Sequence, residues 1–597
     1  MVEPKHRWVF PIDAGAPSPE FTEAARRHGL STVVADLLAA RGLTTGSALD
    51  GFFRAAEAGL NDPRLLPDAD RVVWRIAEAR AVNDRVMVFG DFDADGLTGL
   101  AILVIALRRL GLDVMPYVPD RLEEGHGLSL AAVSEARSAG VRLIVTVDCG
   151  STSHAEIAAA RAQDIDVIVT DHHRVPSTLP PALAVVNPHR TDAEYPDPGL
   201  AGSGVAFTVA RLLLDGTAEG RVAVLGLADL ATIGTVADVA PVLGENRAIA
   251  RIGLDAMRSA PRPGIAALLE RAGIAARTVD LETVAFALAP RLNAAGRVGE
   301  AGVAARLLLA EGAQEAGALA SELETANASR RDLTRTTLAE ARVAAGLEGA
   351  SGVVADPVVV AGPWPVGVIG LVASRLAEET GRPAVVGSIL GATIRGSCRS
   401  DGSLDLASAL DACRELFDRF GGHAGAAGFE LPAERWEAFR ARFAEIARST
   451  QPADPRVPLK IDVTIPAAAC DYALHRDLLR LAPTGPGNPD PVIAVLGLTV
   501  IRVREAAGGH TQLVLRREID VLDGIAFDRP DLATIVSEGD RVDVAGRLVS
   551  RRFGGIESLQ IEIRDVATAG WHQLAKASRS TGPVAGSAVA AGAVASA

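Results

Sequence analysis

Aromatic residues are scarce: they make up 4% of the 597 residues, with only three tyrosines and five tryptophans. The interior therefore has to be packed mainly from alanine, valine and leucine, and the 48% hydrophobic share is enough for several cores. Cysteine is scarcer still. Cys149, Cys398, Cys413 and Cys470 are scattered with no Cys-x-x-Cys pair, which excludes a zinc ribbon or a disulfide framework and points to a reducing cytosol. No charge-free apolar run reaches the roughly 18 residues of a membrane helix. No signal-type apolar segment follows Met1-Val2-Glu3-Pro4-Lys5-His6-Arg7. A cytoplasmic protein with no membrane partner is expected. Positive charge is also short. Sixty Lys and Arg against 74 Asp and Glu leave a net charge of −14, so a nucleic acid would have to be met by a local basic channel on an acidic body.

What is present is a set of acidic and imidazole side chains placed where predicted strands end. They lie in Asp91-Phe92-Asp93-Ala94-Asp95-Gly96, Val147-Asp148-Cys149-Gly150 and Thr170-Asp171-His172-His173. Each run follows a short β-branched stretch, Val86–Phe89, Leu143–Val147 or Val167–Val169, of the kind that forms buried parallel strands. Open α/β sheets bind ligands beyond the carboxyl ends of their strands. Oxygen and imidazole donors gathered there suit hard divalent cations. One such motif alone is as readily a helix cap, and Asp95 before the helix expected over Leu97–Leu110 fits that reading.

The pattern divides the chain into six parts. Residues 1–75 read as an N-terminal helical extension, and 76–255 as alternating strands and helices with a parallel sheet. Residues 256–345 form a helical connector that ends in a long helix over Ala313–Val343. A second α/β domain, 346–450, has strands at Val358–Ala361 and Ala384–Gly387 and a helix at Gly370–Glu379. Pro452, Pro455 and Pro458 mark a linker. Residues 455–568 carry short strands separated by turns, which suggests a small barrel. A tail over 569–597, in which Ser, Gly, Ala and Val take over from about 577, is expected to be disordered.

Asp-x-Asp-x-Asp-Gly, the isolated Asp-Cys-Gly and Asp171-His172-His173 together resemble the DHH phosphoesterase superfamily. Further runs are similar to its exonuclease branch: Gly234-Thr235-Val236-Ala237-Asp238 with Glu245-Asn246-Arg247, Arg291-Leu292-Asn293-Ala294-Ala295-Gly296-Arg297, Gly396-Ser397-Cys398-Arg399-Ser400, Gly421-Gly422-His423-Ala424-Gly425-Ala426-Ala427-Gly428 and Gly487-Asn488-Pro489. They occur in the family's order over roughly residues 75 to 565. The resemblance implies a DHH-type parallel-sheet core and a DHH-associated α/β domain joined by a long helix, with a C-terminal OB-type barrel for nucleic acid.

The expected cofactor is a pair of Mn²⁺ or Mg²⁺ ions. Asp148, alone at the end of a central strand, is the candidate bridge between them. Asp91 and Asp93 would serve one ion; Asp95, His172 and Asp238 the other. Which of the first three aspartates touches metal stays open. His173, beside a ligand histidine, would act on the phosphoryl group or the departing oxygen, while Asp171 would fix an imidazole tautomer. Ser397, Arg399 and Arg121 resemble the family's set for a terminal 5′-phosphate. His423 is a further phosphate candidate. Arg291, Asn293 and Arg297 are expected on the crevice wall or the strand. The resemblance implies metal-dependent 5′→3′ hydrolysis of single-stranded DNA to 5′-mononucleotides in repair and recombination, by a monomer working with a helicase and a single-strand-binding protein. The alternatives are a phosphoesterase for short oligonucleotides or cyclic dinucleotides, and an inactive DNA-binding homologue. The chain departs from the family at His126, where Tyr is frequent, at Pro365 and at Thr484.

Overall fold

The computed structural model describes residues 2–11, 17–121, 124–347, 356–400, 402–450, 454, 456–553 and 556–572. The chain forms two compact units. One holds residues 50–455 with 483–489; the other holds 1–49, 456–482 and 490–597. The tail expected from 569 onward lies almost wholly outside the described residues, as do Pro452 and Pro455.

The larger unit contains a five-stranded, all-parallel sheet in the order Asp113–Tyr117, Arg85–Gly90, Val141–Val147, Asp166–Thr170, Ala184–Val186. The period of two along each strand fills two separate cores. Val86, Val88, Val145 and Ile168 enter one, and Met87, Phe89, Ile144 and Val169 enter the other. The helix after the first strand, Ala94–Arg109, packs in the first core, and the helix after the third, His154–Arg161, packs in the second. Strand order therefore reverses between Arg85–Gly90 and Val141–Val147, and a crevice opens at their carboxyl ends. The stretch Ala218–Ala237 has a membrane-like mean hydropathy of 1.4. It is divided into helices Ala218–Leu225 and Ala228–Ala237, and its Asp229 pairs with Arg262 at 2.7 Å. Val224, Leu230 and Ile233 lie in the first core.

The connector begins with helices Gly244–Ser259 and Pro263–Ala272. A π-helical turn, Val284–Leu288, leads into Ala289–Val298, and the 32-residue helix Ala313–Ala344 follows. Helix Val366–Thr380 begins earlier than expected because Pro365 is its N-cap. The second sheet runs Arg419–Gly422, Ala426–Pro432, Thr393–Arg399, Ala384–Leu390, Val358–Gly362, with only the last pair parallel. Here the sparse aromatics are concentrated. Phe417, Phe429, Trp436, Phe439 and Phe443 form the core, and the Phe429 and Phe439 rings lie 4.7 Å apart.

In the smaller unit Val463–Thr464, Ile493–Ala506, His510–Arg517, Asp520–Ala526, Ile556–Thr568 and Arg541–Phe553 form one sheet. It closes into a barrel where Ile493–Ala506 pairs with Arg541–Phe553. The expected N-terminal extension is not one piece. Strand Arg7–Val9 pairs in parallel with Pro458–Lys460. The buried Asp565 accepts the backbone N–H groups of Lys5 and His6 and the indole N–H of Trp8. Helix Ala69–Val82 instead belongs to the larger unit, with Val72, Ile76 and Ala79 in the first core.

Candidate metal centre and crevice

Pairing register builds the site. Gly90 is opposite Val147, and Val147 is opposite Thr170, so Asp91, Asp148 and Asp171 form the next row beyond the strands. Backbone bonds carry the ladder into this row: Asp91 N–H donates to Val147 O at 3.3 Å, Asp148 N–H to Thr170 O at 3.0 Å and Asp171 N–H to Val186 O at 3.0 Å. Asp148 is left-handed, with φ 62°, a sparsely populated conformation typical of functional sites.

The capping roles differ from expectation. Asp93, not Asp95, caps its own helix, accepting the N–H groups of Asp95 and Gly96 at 3.0 Å each. Asp95 instead accepts the N–H of Gly202 at 2.7 Å and of Ser203 at 2.9 Å, at the start of helix Gly202–Leu214. That helix N-terminus stabilises the carboxylate and aims it at His172, whose Nε2 is 3.9 Å away. Nothing in the sequence but the Gly-Ser-Gly run at 202–204 signalled this contact.

Two groups of donors converge: Asp148 with His172 and His173, and Asp95 with His172 and Asp238, each with ligand atoms within 4.8 Å of one another. His172 Nε2 and Asp148 Oδ1 face each other at 3.1 Å, yet both are buried and hydrogen-bonded to nothing. Orphaned donor atoms at this spacing fit a divalent ion between them. Electrostatics agree. Burial, reinforced by Asp95, Asp93 and Asp91, pushes the Asp148 pKa well above the usual carboxylate range. Burial with the charges of Asp95 and Asp93 brings Asp238 to about 8, and burial with Asp91 and Asp95 brings Asp93 to about 6. So many carboxylates cannot all be ionised without cations. His172 is pushed down by burial and kept neutral, as a ligand must be. His173 Nδ1 donates to Asp171 at 2.8 Å. That bond lifts its pKa to about 9 against burial. Asp171 also accepts from Ser151 N–H at 3.0 Å, which locks the tautomer.

Asp91 faces a different neighbour: its Oδ2 lies 3.0 Å from Nδ1 of His126, whose ring sits 4.5 Å from that of Phe92. The close packing is itself testable. A Cβ on Gly202 would fall 2.7 Å from Asp148 Oδ1. Gly202→Ala is expected to displace that carboxylate and lower Mn²⁺ affinity roughly 10–100-fold, the scale of support-residue changes around metal ligands. Calorimetric titration of the metal checks this, and unchanged affinity would refute the contact's importance.

A crevice of about 530 Å³ lies beside this centre, with Arg121, His126, Arg297, Ser397 and Arg399 among its lining residues. Arg121 stands over the Phe92 ring at 4.8 Å. Arg399 donates to Ser397 Oγ at 3.0 Å, and Gly370 leaves room for both. Arg297 donates to Gly367 O at 3.0 Å. The structure does not bring Arg291, Asn293 or His423 to this wall. Arg291 is taken by Glu324 at 2.6 Å, and Asn293 Oδ1 accepts the N–H of Ala94 at 2.7 Å. His423 is exposed just past the strand Arg419–Gly422. Sequence reading missed Glu124, which accepts from Tyr117 OH at 3.1 Å and Asp120 N–H at 2.9 Å and so braces the loop carrying Arg121 and His126. On the barrel, Phe527 is exposed and its ring meets His510 edge-on at 5.0 Å.

A parallel sheet with this strand order, carrying Asp, Asp-His-His and a helix-borne Asp at its switch point, defines a DHH-type phosphoesterase core. The family models agree in order along the chain: the DHH family N-terminal domain matches residues 85–235, the DHHA1 domain 355–449 and the RecJ OB domain 461–565. The single-stranded-DNA-specific exonuclease RecJ of Bacillus subtilis is 33% identical over 576 residues, 96% of this chain and 72% of that protein. That of Escherichia coli is 35% identical over 554 residues, 89% of this chain and 95% of that protein. The crystal structure of RecJ in complex with Mn²⁺ from Thermus thermophilus superposes with a TM-score of 0.78 at 32% identity, covering 94% of this chain and 79% of that one. The chain belongs to the RecJ family.

Proposed function

We propose that the protein is a metal-dependent 5′→3′ exonuclease that hydrolyses single-stranded DNA to 5′-mononucleotides. The observation that carries this is the pair of buried, unpartnered ligand atoms on Asp148 and His172, in a chain whose relatives are single-stranded-DNA-specific exonucleases over most of its length. Two Mn²⁺ or Mg²⁺ ions would be held by Asp95, His172 and Asp238 for one and Asp91 and Asp93 for the other, with Asp148 the candidate to serve both. Bound divalent ions supply Lewis-acid stabilisation of the phosphoryl oxygens and an acidified water. The protein's own groups do the rest. Asp171 holds His173 with Nδ1 as the donor, which frees Nε2 to protonate the departing 3′-oxygen. Arg399, Ser397 and Arg121 take the 5′-phosphate, and Arg297 extends the cationic wall.

The barrel tracks the strand by charge and stacking, with Phe527 exposed for a base. A helicase to open duplex and a single-strand-binding protein are the partners that suit a crevice for one strand. A cytoplasmic monomer is the working form, on the family resemblance and the buried free thiols of Cys149, Cys398 and Cys413. The RecJ OB match argues against a small-substrate enzyme, which needs no strand-tracking barrel.

Digestion of 5′- and 3′-labelled single-stranded and duplex DNA, with Mn²⁺, with Mg²⁺ and with chelator, tests the reading. Labelled mononucleotide should appear first from the 5′ label, on single strands and with metal only. No cleavage of long DNA by folded protein would overturn it. Arg399→Ala should slow 5′-phosphorylated ends about tenfold or more, the scale of a charge-assisted contact, and 5′-hydroxyl ends much less. Equal loss on both would refute its role at the terminus.

A further inference from the structure

Helix Ala313–Ala344 buries one stripe, and that stripe changes character along its length. Ala316, Ala320 and Leu323 enter the first core, and Ala341 joins the apolar cluster with Val372 and Leu376 of the second α/β part. Helical spacing places Leu323, Asn327, Arg330 and Thr334 on this same face. Its midpoint is thus polar. A polar group buried without a partner is destabilising. Asn327 is buried to 2% exposure and its Oδ1 has no hydrogen-bond partner, and the Nε of Arg330 is likewise buried and unpartnered.

The surrounding charges do not relieve Arg330. Glu324 is shared by Arg291 at 2.6 Å and Arg331 at 3.3 Å. Among the described residues no carboxylate pairs with Arg330. Burial, then Arg331 and Arg291, pull its pKa down. Burial with the cations Arg121, Arg330 and Arg399 holds Arg297 at about 10. The helix that carries Arg330 packs against Ala289–Val298, so Arg330 adds a cation in the neighbourhood of Arg297, which lines the crevice. A half-buried guanidinium among like charges lowers stability, and such a cost persists where the group serves a ligand.

We propose that Arg330 holds a backbone phosphate of the bound strand, a different phosphate from the one at the metal centre, and so extends the crevice's grip onto the connecting helix. This rests on the single-strand reading above. The ligand chemistry is a phosphodiester, and the contact is independent of sequence.

Fluorescence anisotropy with a labelled 5′-phosphorylated oligothymidylate, in chelator and over a range of salt, tests it. Arg330→Ala should bind about tenfold more weakly, and the slope of log affinity against log salt should shrink by about 0.7, the share of one single-strand phosphate. Arg330→Lys should keep most of the slope. Arg335→Ala, on an exposed side chain paired with Asp332, should bind like the parent. The melting temperature separates this from a structural role, because removing an unpartnered charge should leave it unchanged or raise it. Parent-like binding and slope in Arg330→Ala would overturn the proposal, as would unfolding of both Arg330→Ala and Arg330→Gln. A parent protein that neither binds nor cleaves the oligonucleotide would overturn the single-strand reading, and this inference with it.

Discussion

Asp148→Asn is expected to lower hydrolysis by roughly 10³-fold or more, at the upper end of what one preorganised electrostatic group contributes, while raising the melting temperature of the metal-free protein. The two effects share one cause. Asp148 is 4% exposed, and burial together with Asp95, Asp93, Asp91 and Asp171 disfavours its charged form. In chelator near neutral pH, folding must therefore bring a proton to this carboxyl, at about 1.4 kcal/mol for each unit between its unfolded pKa and the pH. Asparagine has the shape of the protonated acid, tolerates the left-handed φ of 62° and needs no proton. It offers a metal ion only a neutral oxygen. Initial rates with Mn²⁺ and melting curves in chelator measure both. A variant that keeps most of its activity would end the bridging assignment. A lower melting temperature would mean that the carboxylate serves the fold rather than the ions.

Local chemistry was legible in the sequence and non-local geometry was not. The runs ending at Asp91, Asp148 and Asp171 could be read as strands because β-branched residues precede them. That they align in one row depends on the register Gly90–Val147–Thr170, which no single run encodes. The resemblance supplied Asp238, because its helix, Ala228–Ala237, meets the site only in three dimensions. Which aspartate caps which helix depends on the turn after Gly90, and composition is silent on turns. Arg291 and Arg297 look alike as lone cations in an Ala-rich stretch. Glu324, on the helix Ala313–Ala344, neutralises the first and leaves the second facing the crevice. Arg7–Val9 lies within the stretch expected to be a helical extension and is a strand instead. Its pairing with Pro458–Lys460 is a parallel, long-range match of short polar-edged segments, for which three residues carry too weak a pattern.

In chelator, the melting temperature should fall as pH rises from about 5 to about 9, and added Mn²⁺ should restore more of it at the upper end. Burial and neighbouring aspartates raise Asp93 to about 6 and Asp238 to about 8 in the folded protein, against about 3.9 for an unfolded aspartate. The folded state therefore keeps protons that the unfolded chain has released. Stability then declines as pH climbs from the unfolded value through the folded ones. His173 acts in the same direction: its bond to Asp171 raises it to about 9, so the stability it adds is full below about 6.5 and lost as pH passes the folded value. Asp171, which the bond from His173 holds well below the usual carboxylate range against burial, changes charge only under acidic conditions and stays outside this window. Metal ions replace the protons, so binding should release protons and the Mn²⁺-dependent gain should grow with pH. Scanning calorimetry with and without metal, together with proton counts from titration in two buffers, measures each part. A flat melting temperature in chelator, or a Mn²⁺ gain largest at low pH, would mean that these carboxylates are neutralised by the protein itself and do not form an ion site. Asp148→Asn provides the internal control, because losing the bridge should abolish most of the Mn²⁺ gain while leaving the slope due to Asp238 and His173 in place.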